Sequence, residues 1–132
     1  MTILVDSDVL IELARGRNER IASAWLELGV RQALILYSPI TVAELWAGAR
    51  PSEHATLRDM FDALVCVAIT SEIGRQAGDF LNRYRKSHHL EIGDAMIAAT
   101  AVQSRAVLWT RNRKHYPMKE LTFFENNFLS AP

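Results

Sequence analysis

Four polar residues stand where the surrounding sequence is apolar: Asp6, Glu44, Asp94 and Asn112. Asp6 follows the aliphatic run Ile3-Leu4-Val5 in "ILVDSDVLI", with Asp8 two residues further on. Glu44 interrupts "ITVAELWAG", a helical pattern whose Val42, Leu45 and Trp46 read as core-facing. Asp94 opens "GDAMIAATAV", where nearly every following residue is small or apolar, and Asn112 follows the run "LWT" in "LWTRNRKHY". Taking a carboxylate out of water is expensive unless something compensates its charge. Clustered acids that stay ionised need a countercharge, which a hard divalent cation supplies. An all-oxygen donor set without cysteine or paired histidine suits Mg2+ or Mn2+ better than Zn2+. Held by a few carboxylates and keeping its waters, such an ion serves phosphoryl transfer: it lowers the pKa of a bound water, holds the phosphate and stabilises the departing oxygen. Asp6, Glu44 and Asp94 are then the metal ligands, and Asn112 completes the catalytic set.

Each of these residues also has a purely structural reading. Asp6 fits the N-cap of the segment "DVLIEL", with Asp8 favouring the helix dipole. Thr41 and Glu44 match a capping box, Asp94 after Gly93 matches another cap, and Asn112 fits an Asx-turn. These readings explain the residues one at a time. They weaken once three acids from separate elements converge on one edge.

The elements that must position them alternate along the chain. Strands are expected at Ile3–Val5, Ala33–Tyr37, Val65–Ile69 and Ala106–Thr110, with a weaker one at Leu121–Phe124. Helical patterns lie between them: "DVLIELARG", "NERIASAWLELGV", "PITVAELWAGAR", "SEHATLRDMFDAL", "SEIGRQAGDFLNRYRKS" and "GDAMIAATAVQS". Gly16 and Gly29 mark stops, while Ser38-Pro39, Pro51-Ser52 and Ser71-Glu72 mark starts. Such alternation predicts a three-layer α/β/α domain, residues 1–132, around a mostly parallel central sheet of four or five strands. Ligands of these sheets bind beyond the carboxyl ends of the strands. Asp6 is the first residue past strand one, and Ser38 and Thr110–Asn112 belong at the same edge.

Composition narrows the class. The chain has 132 residues, of which 49% are hydrophobic and 23% charged, as in ordinary globular domains. Cys66 in "LVCVAI" reads as a small buried hydrophobe, and a single cysteine excludes an internal disulfide or thiolate cluster. No basic-then-apolar leader pattern is present, and no apolar run approaches the ~18 residues of a membrane helix, so a cytoplasmic, non-membrane protein is expected. The 15 basic and 15 acidic residues cancel, but the second half is the basic one, with "RYRKSHH" and "RNRKH" carrying much of the excess. Such runs are commonly solvated helix ends and loops. Beside an acidic metal site, Arg111, Arg113 and Lys114 become clamps on a polyanionic substrate. Gly48 and Gly93 are expected to give a bulky backbone room near the acids.

Taken in order and spacing, "ILVDSDVLIELARG", "SPITVAELWAGAR", "LEIGDAMIAATA" and "LWTRNRKHY" resemble the motifs of PIN-domain ribonucleases, and within them the VapC toxins of toxin–antitoxin pairs. The resemblance spans essentially the whole chain. It implies a parallel-sheet α/β/α fold, Mg2+- or Mn2+-dependent endonucleolytic cleavage of RNA, a homodimer, and a VapB-type antitoxin as partner. Asp6, Glu44 and Asp94 match the family's acidic residues. The fourth position falls at Asn112, where many members carry Asp. By the same resemblance Asp8 and Thr110 support the ligands without binding metal, and Glu12 faces solvent. His88, His89 and His115 read as RNA contacts or surface residues. Trp25, Trp46 and Trp109 read as core or partner-groove residues, with Trp25 on an antitoxin or dimer surface. Two other classes remain open. Asp6-x-Asp8 resembles the start of haloacid-dehalogenase phosphatases, although Val9-Leu10 stands where that family has Gly-Thr. A PIN module that binds RNA or protein without cleaving is the other.

Overall fold

The computed structural model describes residues 1–125. Strand β1 (Thr2–Val5) leads into α1 (Ser7–Arg15) and α2 (Glu19–Val30). Strand β2 (Leu34–Tyr37) is followed by α3 (Pro39–Ala47) and α4 (His54–Asp62), and the short β3 (Val65–Cys66) by α5 (Ser71–His88) and α6 (Ile92–Gln103). β4 (Val107–Trp109) completes a parallel sheet of order β3-β2-β1-β4.

Strand periodicity sorts the core into two layers. Leu4, Leu36 and Leu108 point to one face, where α5 and α6 contribute Ile73, Phe80 and the alanine-rich side of α6. Ile3, Val5 and Trp109 point to the other, against Val9 and Leu10 of α1, Leu28 of α2 and Phe61 of α4. A strand covered on both sides has no polar face, which is why β1 reads as an unbroken aliphatic run. The small residues of α6, Ala95, Ala98, Ala99 and Ala101, let that helix lie buried between the sheet and α5.

Local chemistry sets the helix ends. Asn18, Ser38 and Thr70 each accept a backbone N–H of the first turn that follows them. α1 stops at Gly16, whose φ of 67° is costly for any residue with a Cβ. Gly29 does not stop α2, which runs on to Val30.

Other expectations shift. β3 covers only Val65–Cys66, and Cys66 is exposed rather than buried, because β3 is the sheet's edge strand. The expected fifth strand is a single parallel bridge, Leu108 to Phe123, flanked by two backbone hydrogen bonds of 2.8 Å. α3 begins at Pro39, so Thr41 is a buried interior residue and no capping box forms with Glu44. α6 begins at Ile92 after Glu91, which puts Asp94 inside the first turn and not at the cap. Neither glycine beside the acids answers to crowding: a Cβ at Gly48 would meet nothing within 4 Å, and one at Gly93 only Ile40 at 3.7 Å.

The order β3-β2-β1-β4 has one functional consequence. After β1 the chain builds outward through β2 and β3, then returns to the opposite side of β1 as β4. The carboxyl ends of β1 and β4 therefore flank the switch point, where open parallel sheets have their crevice. Phe80, fully buried between α5 and the sheet, reports on this packing. Phe80→Ala is expected to lower unfolding free energy by about 3–5 kcal/mol, read by urea denaturation.

Candidate active site

The crevice at the switch point is a cleft of about 220 Å³. β1 and the start of α1 supply Asp6, Ser7 and Asp8; α3 supplies Glu44; the start of α6 supplies Glu91 and Asp94; the loop after β4 supplies Asn112 and His115. Three separate segments thus bring five carboxyl groups to one opening, and a fourth adds an amide and an imidazole. A second cavity of about 280 Å³ adjoins it through Glu44 and is walled by Ile11, Leu45 and Leu57.

Asp6 is the most buried of these acids, 7% exposed, and the most tightly held. Its Oδ1 accepts the Ser7 N–H at 2.9 Å. Its Oδ2 lies 3.0 Å from the Thr110 hydroxyl and 2.7 Å from the Tyr116 hydroxyl. Its backbone N–H donates to the Trp109 carbonyl at 2.9 Å, tying it to the end of β4. Asp6 therefore does cap α1, as its structural reading required, and also faces the cleft. Asp8 Oδ2 accepts the Arg111 N–H at 3.1 Å and lies 3.3 Å from the Thr110 hydroxyl, whereas its buried Oδ1 has no partner among the described residues. Thr110 in turn accepts the Asn112 N–H at 3.1 Å. Asp94 is approached by His115 Nδ1 at 3.6 Å and by the Tyr116 hydroxyl at 3.4 Å.

The electrostatics follow from this crowding. Burial, then the neighbouring Asp6 charge, push Asp8 up to about 6 from an ordinary 3.8, against the opposing hydrogen bonds from Arg111 and Thr110. Burial and the charges of Asp6 and Asp94 raise Glu44, with the Ser7 hydroxyl opposing. Burial and the Asp6 charge raise Asp94, with His115 and Tyr116 opposing. Burial and the same charges hold the Tyr116 phenol in its protonated form, so it acts as a donor.

All four expected members of the catalytic set, Asp6, Glu44, Asp94 and Asn112, line the cleft; Thr110 stands behind them against Asp6 and Asp8, whereas Asp8, expected to support the ligands from behind, itself lines the cleft. The basic loop is more engaged than its sequence implies. Arg111 pairs with Glu12 at 3.0 Å, and Arg113 pairs with Glu125 at 2.9 Å and donates to the Phe124 carbonyl. Glu12, expected to face solvent, is instead largely covered by this pair and by Arg15. Lys114 is exposed. Ser7, Glu91 and Tyr116 are residues at the site that motif reading passes over, and His115, read as an RNA contact or surface residue, lines the cleft beside Asp94. The only signal for Tyr116 is a hydroxyl-bearing aromatic at a position that packs like a core residue.

Because Asp8 binds its proton more tightly folded than unfolded, it favours folding below about 3.8 and loses that contribution as pH rises through about 6. In chelator, Asp8→Asn is expected to raise the melting temperature by about 4 °C near pH 7.5 and to leave it nearly unchanged near pH 4. Thermal unfolding followed by circular dichroism reads both; a difference that does not vary with pH would contradict the charge argument.

The PIN domain family model matches residues 3–121. Ribonuclease VapC10 of Mycobacterium tuberculosis is 39% identical over 119 residues, covering 89% of this chain and 88% of its own. Ribonuclease VapC19 of the same organism is 38% identical over 117 residues, covering 87% and 92%. Among solved structures, DNA-bound VapBC from Salmonella typhimurium superposes with a TM-score of 0.81 at 19% identity, covering 96% of this chain and 98% of that one. A toxin–antitoxin complex from Klebsiella pneumoniae superposes with a TM-score of 0.73 at 26% identity, covering 91% and 95%. With its fold, its four ordered motifs and these relatives in agreement, the chain belongs to the PIN-domain family and groups with the VapC ribonucleases.

Proposed function

We propose that this chain is a Mg2+- or Mn2+-dependent endoribonuclease acting as the toxin of a VapBC-type pair. One observation carries the reading: acids from β1, α3 and α6, each raised or crowded by its neighbours' charge, share one cleft at the sheet's switch point with Asn112.

The donor set fits a hard divalent cation. Its donors are mostly carboxylate and amide oxygens with one imidazole, His115, its acids repel one another, and a buried Asp8 oxygen is left without a hydrogen-bond donor. Among the described residues no group of three or more His, Cys, Asp or Glu side chains stands in a metal-holding arrangement. Asp6, Glu44 and Asp94 would hold the ion, with Asn112 as a neutral fourth donor. Once bound, the ion supplies an activated water and a countercharge for the scissile phosphate.

The chain's own groups do the rest. Three hydrogen bonds hold Asp6 in one orientation, whereas Glu44, on the exposed side of α3, has freedom to approach. Lys114 and the guanidinium of Arg111 flank the opening and hold the RNA backbone, Arg111 by exchanging Glu12 for a phosphate. Arg113 contributes by fixing the loop. Water adds to phosphorus and the ribose 3′-oxygen departs, leaving 5′-phosphate and 3′-hydroxyl ends.

The two other classes fit less well. A phosphatase nucleophile needs a free carboxylate oxygen and a nearby lysine, but both oxygens of Asp6 are hydrogen-bonded and no lysine lines the cleft among the described residues. A binding module without catalysis gains nothing from acids facing phosphates.

We further take the chain to act as one domain in the cytoplasm, as a homodimer restrained by a VapB-type antitoxin. The toxin–antitoxin complexes among its structural relatives support the partner. Among the described residues no helix is long and apolar enough to cross a membrane. Trp25, half-buried beside the exposed Leu26 and Val30, is the residue we assign to a protein interface.

The test is RNA cleavage with Mg2+ or Mn2+ by the parent and two variants. Asp6→Asn and Asp94→Asn are each expected to lose activity by about 100-fold or more with unchanged circular dichroism. Retained cleavage in either variant would sink the assignment, as would RNA binding without cleavage by the parent.

A further inference from the structure

Tyr116 has a burial that its chemistry does not explain. The side chain is 3% exposed and packs in the layer formed by α5 and α6, where a phenylalanine would pack equally well and carry no polar atom. A hydroxyl kept in such a place needs a partner. It has two, and both are acids of the cleft: Asp6 Oδ2 at 2.7 Å and Asp94 Oδ1 at 3.4 Å.

We propose that Tyr116 is a positioning residue whose hydroxyl sets the separation and aim of Asp6 and Asp94 for the divalent cation. The proposal rests on the reading of this cleft as a cation site and deepens it. Asp6 stands at the end of β1 and Asp94 in the first turn of α6, so no backbone hydrogen bond fixes one carboxylate relative to the other. The Tyr116 oxygen touches both. Its single proton is shared unequally, strongly with Asp6 at 2.7 Å and weakly with Asp94 at 3.4 Å, so one charge-assisted donor between the two carboxylates offsets part of their repulsion. Thr110 also reaches Asp6 Oδ2 but pairs it with Asp8, so it cannot substitute in this link.

The placement of Tyr116 is itself braced. It closes a turn in which its N–H donates to the Arg113 carbonyl at 2.9 Å. The Arg113 guanidinium lies 5.0 Å from the centre of the Phe123 ring, pairs with Glu125 and donates to the Phe124 carbonyl. Phe124 in turn donates its N–H to Leu108 of β4. An arginine expected to contact RNA thus serves to hold the turn that delivers the phenol.

The test is Tyr116→Phe in the full chain, which keeps the ring and its packing. Chelator-treated wild-type and variant proteins are titrated with Mn2+ by calorimetry, and RNA cleavage is measured across Mn2+ concentrations. The variant is expected to raise the Mn2+ dissociation constant by about 10-fold or more, to shift the Mn2+ dependence of cleavage in step, and to leave the RNA KM at saturating Mn2+ unchanged. A variant that binds Mn2+ as wild type does, whether or not its melting temperature falls, overturns the positioning role and leaves the cation reading standing. Wild-type protein that binds no Mn2+ overturns both.

Discussion

Repulsion is the constraint on which the rest of this molecule depends. Asp6, Asp8, Glu44 and Asp94 share one cleft, and burial together with one another's charge raises three of the four. Left alone, these groups would spread apart or take up protons. They remain gathered because each sits on an element that packing fixes elsewhere. β1 is buried on both faces, α6 lies under α5, and α3 is anchored through Leu45 and Thr41. Hydrophobic burial of some tens of side chains thus holds in place a few charges that oppose one another. Under the proposed reading, a divalent cation would convert that repulsion into affinity.

Topology decides where the repulsion is concentrated. Strand order β3-β2-β1-β4 sets the carboxyl ends of β1 and β4 side by side at the switch point, and the hydroxyls of Thr110 and Tyr116, which follow β4, reach Asp6. The acid on β1 is therefore the fixed member, oriented by donors from both sides. The acids on helices are held less tightly: Glu44 is exposed and Asp94 has only the longer contacts with His115 and Tyr116.

Much of this is legible in the chain itself. The aliphatic runs that end in polar residues place Asp6 and Thr110–Asn112 at the carboxyl edge, and the helical patterns place Glu44 and Asp94 near it. Local chemistry misleads where it matches a familiar pattern by accident. Thr41-x-x-Glu44 has the residues of a capping box, but Ser38-Pro39 starts the helix earlier, because a proline suits the first helical position and a serine the cap. Edge effects are equally hidden: Val65 and Cys66 look like core until strand order puts β3 at the rim. Tyr116 is invisible for a different reason. Its role depends on two acids 110 and 22 positions away in sequence, a relation that no local spacing encodes.

The basic segments show the same limit. Arg111 and Arg113 read as substrate contacts because they flank the acidic motifs, yet both are paired with acids, Glu12 and Glu125, that brace the loop around the cleft. The positive charge beside the site is thus partly structural, which keeps the loop in register with the acids it flanks.

The most direct measurement is a crystal structure of the wild-type protein with Mn2+, using anomalous scattering to locate the ion. A single strong peak bounded by Asp6, Glu44 and Asp94 is the predicted result. A peak elsewhere on the molecule, or an empty cleft at saturating Mn2+, would contradict the cation site.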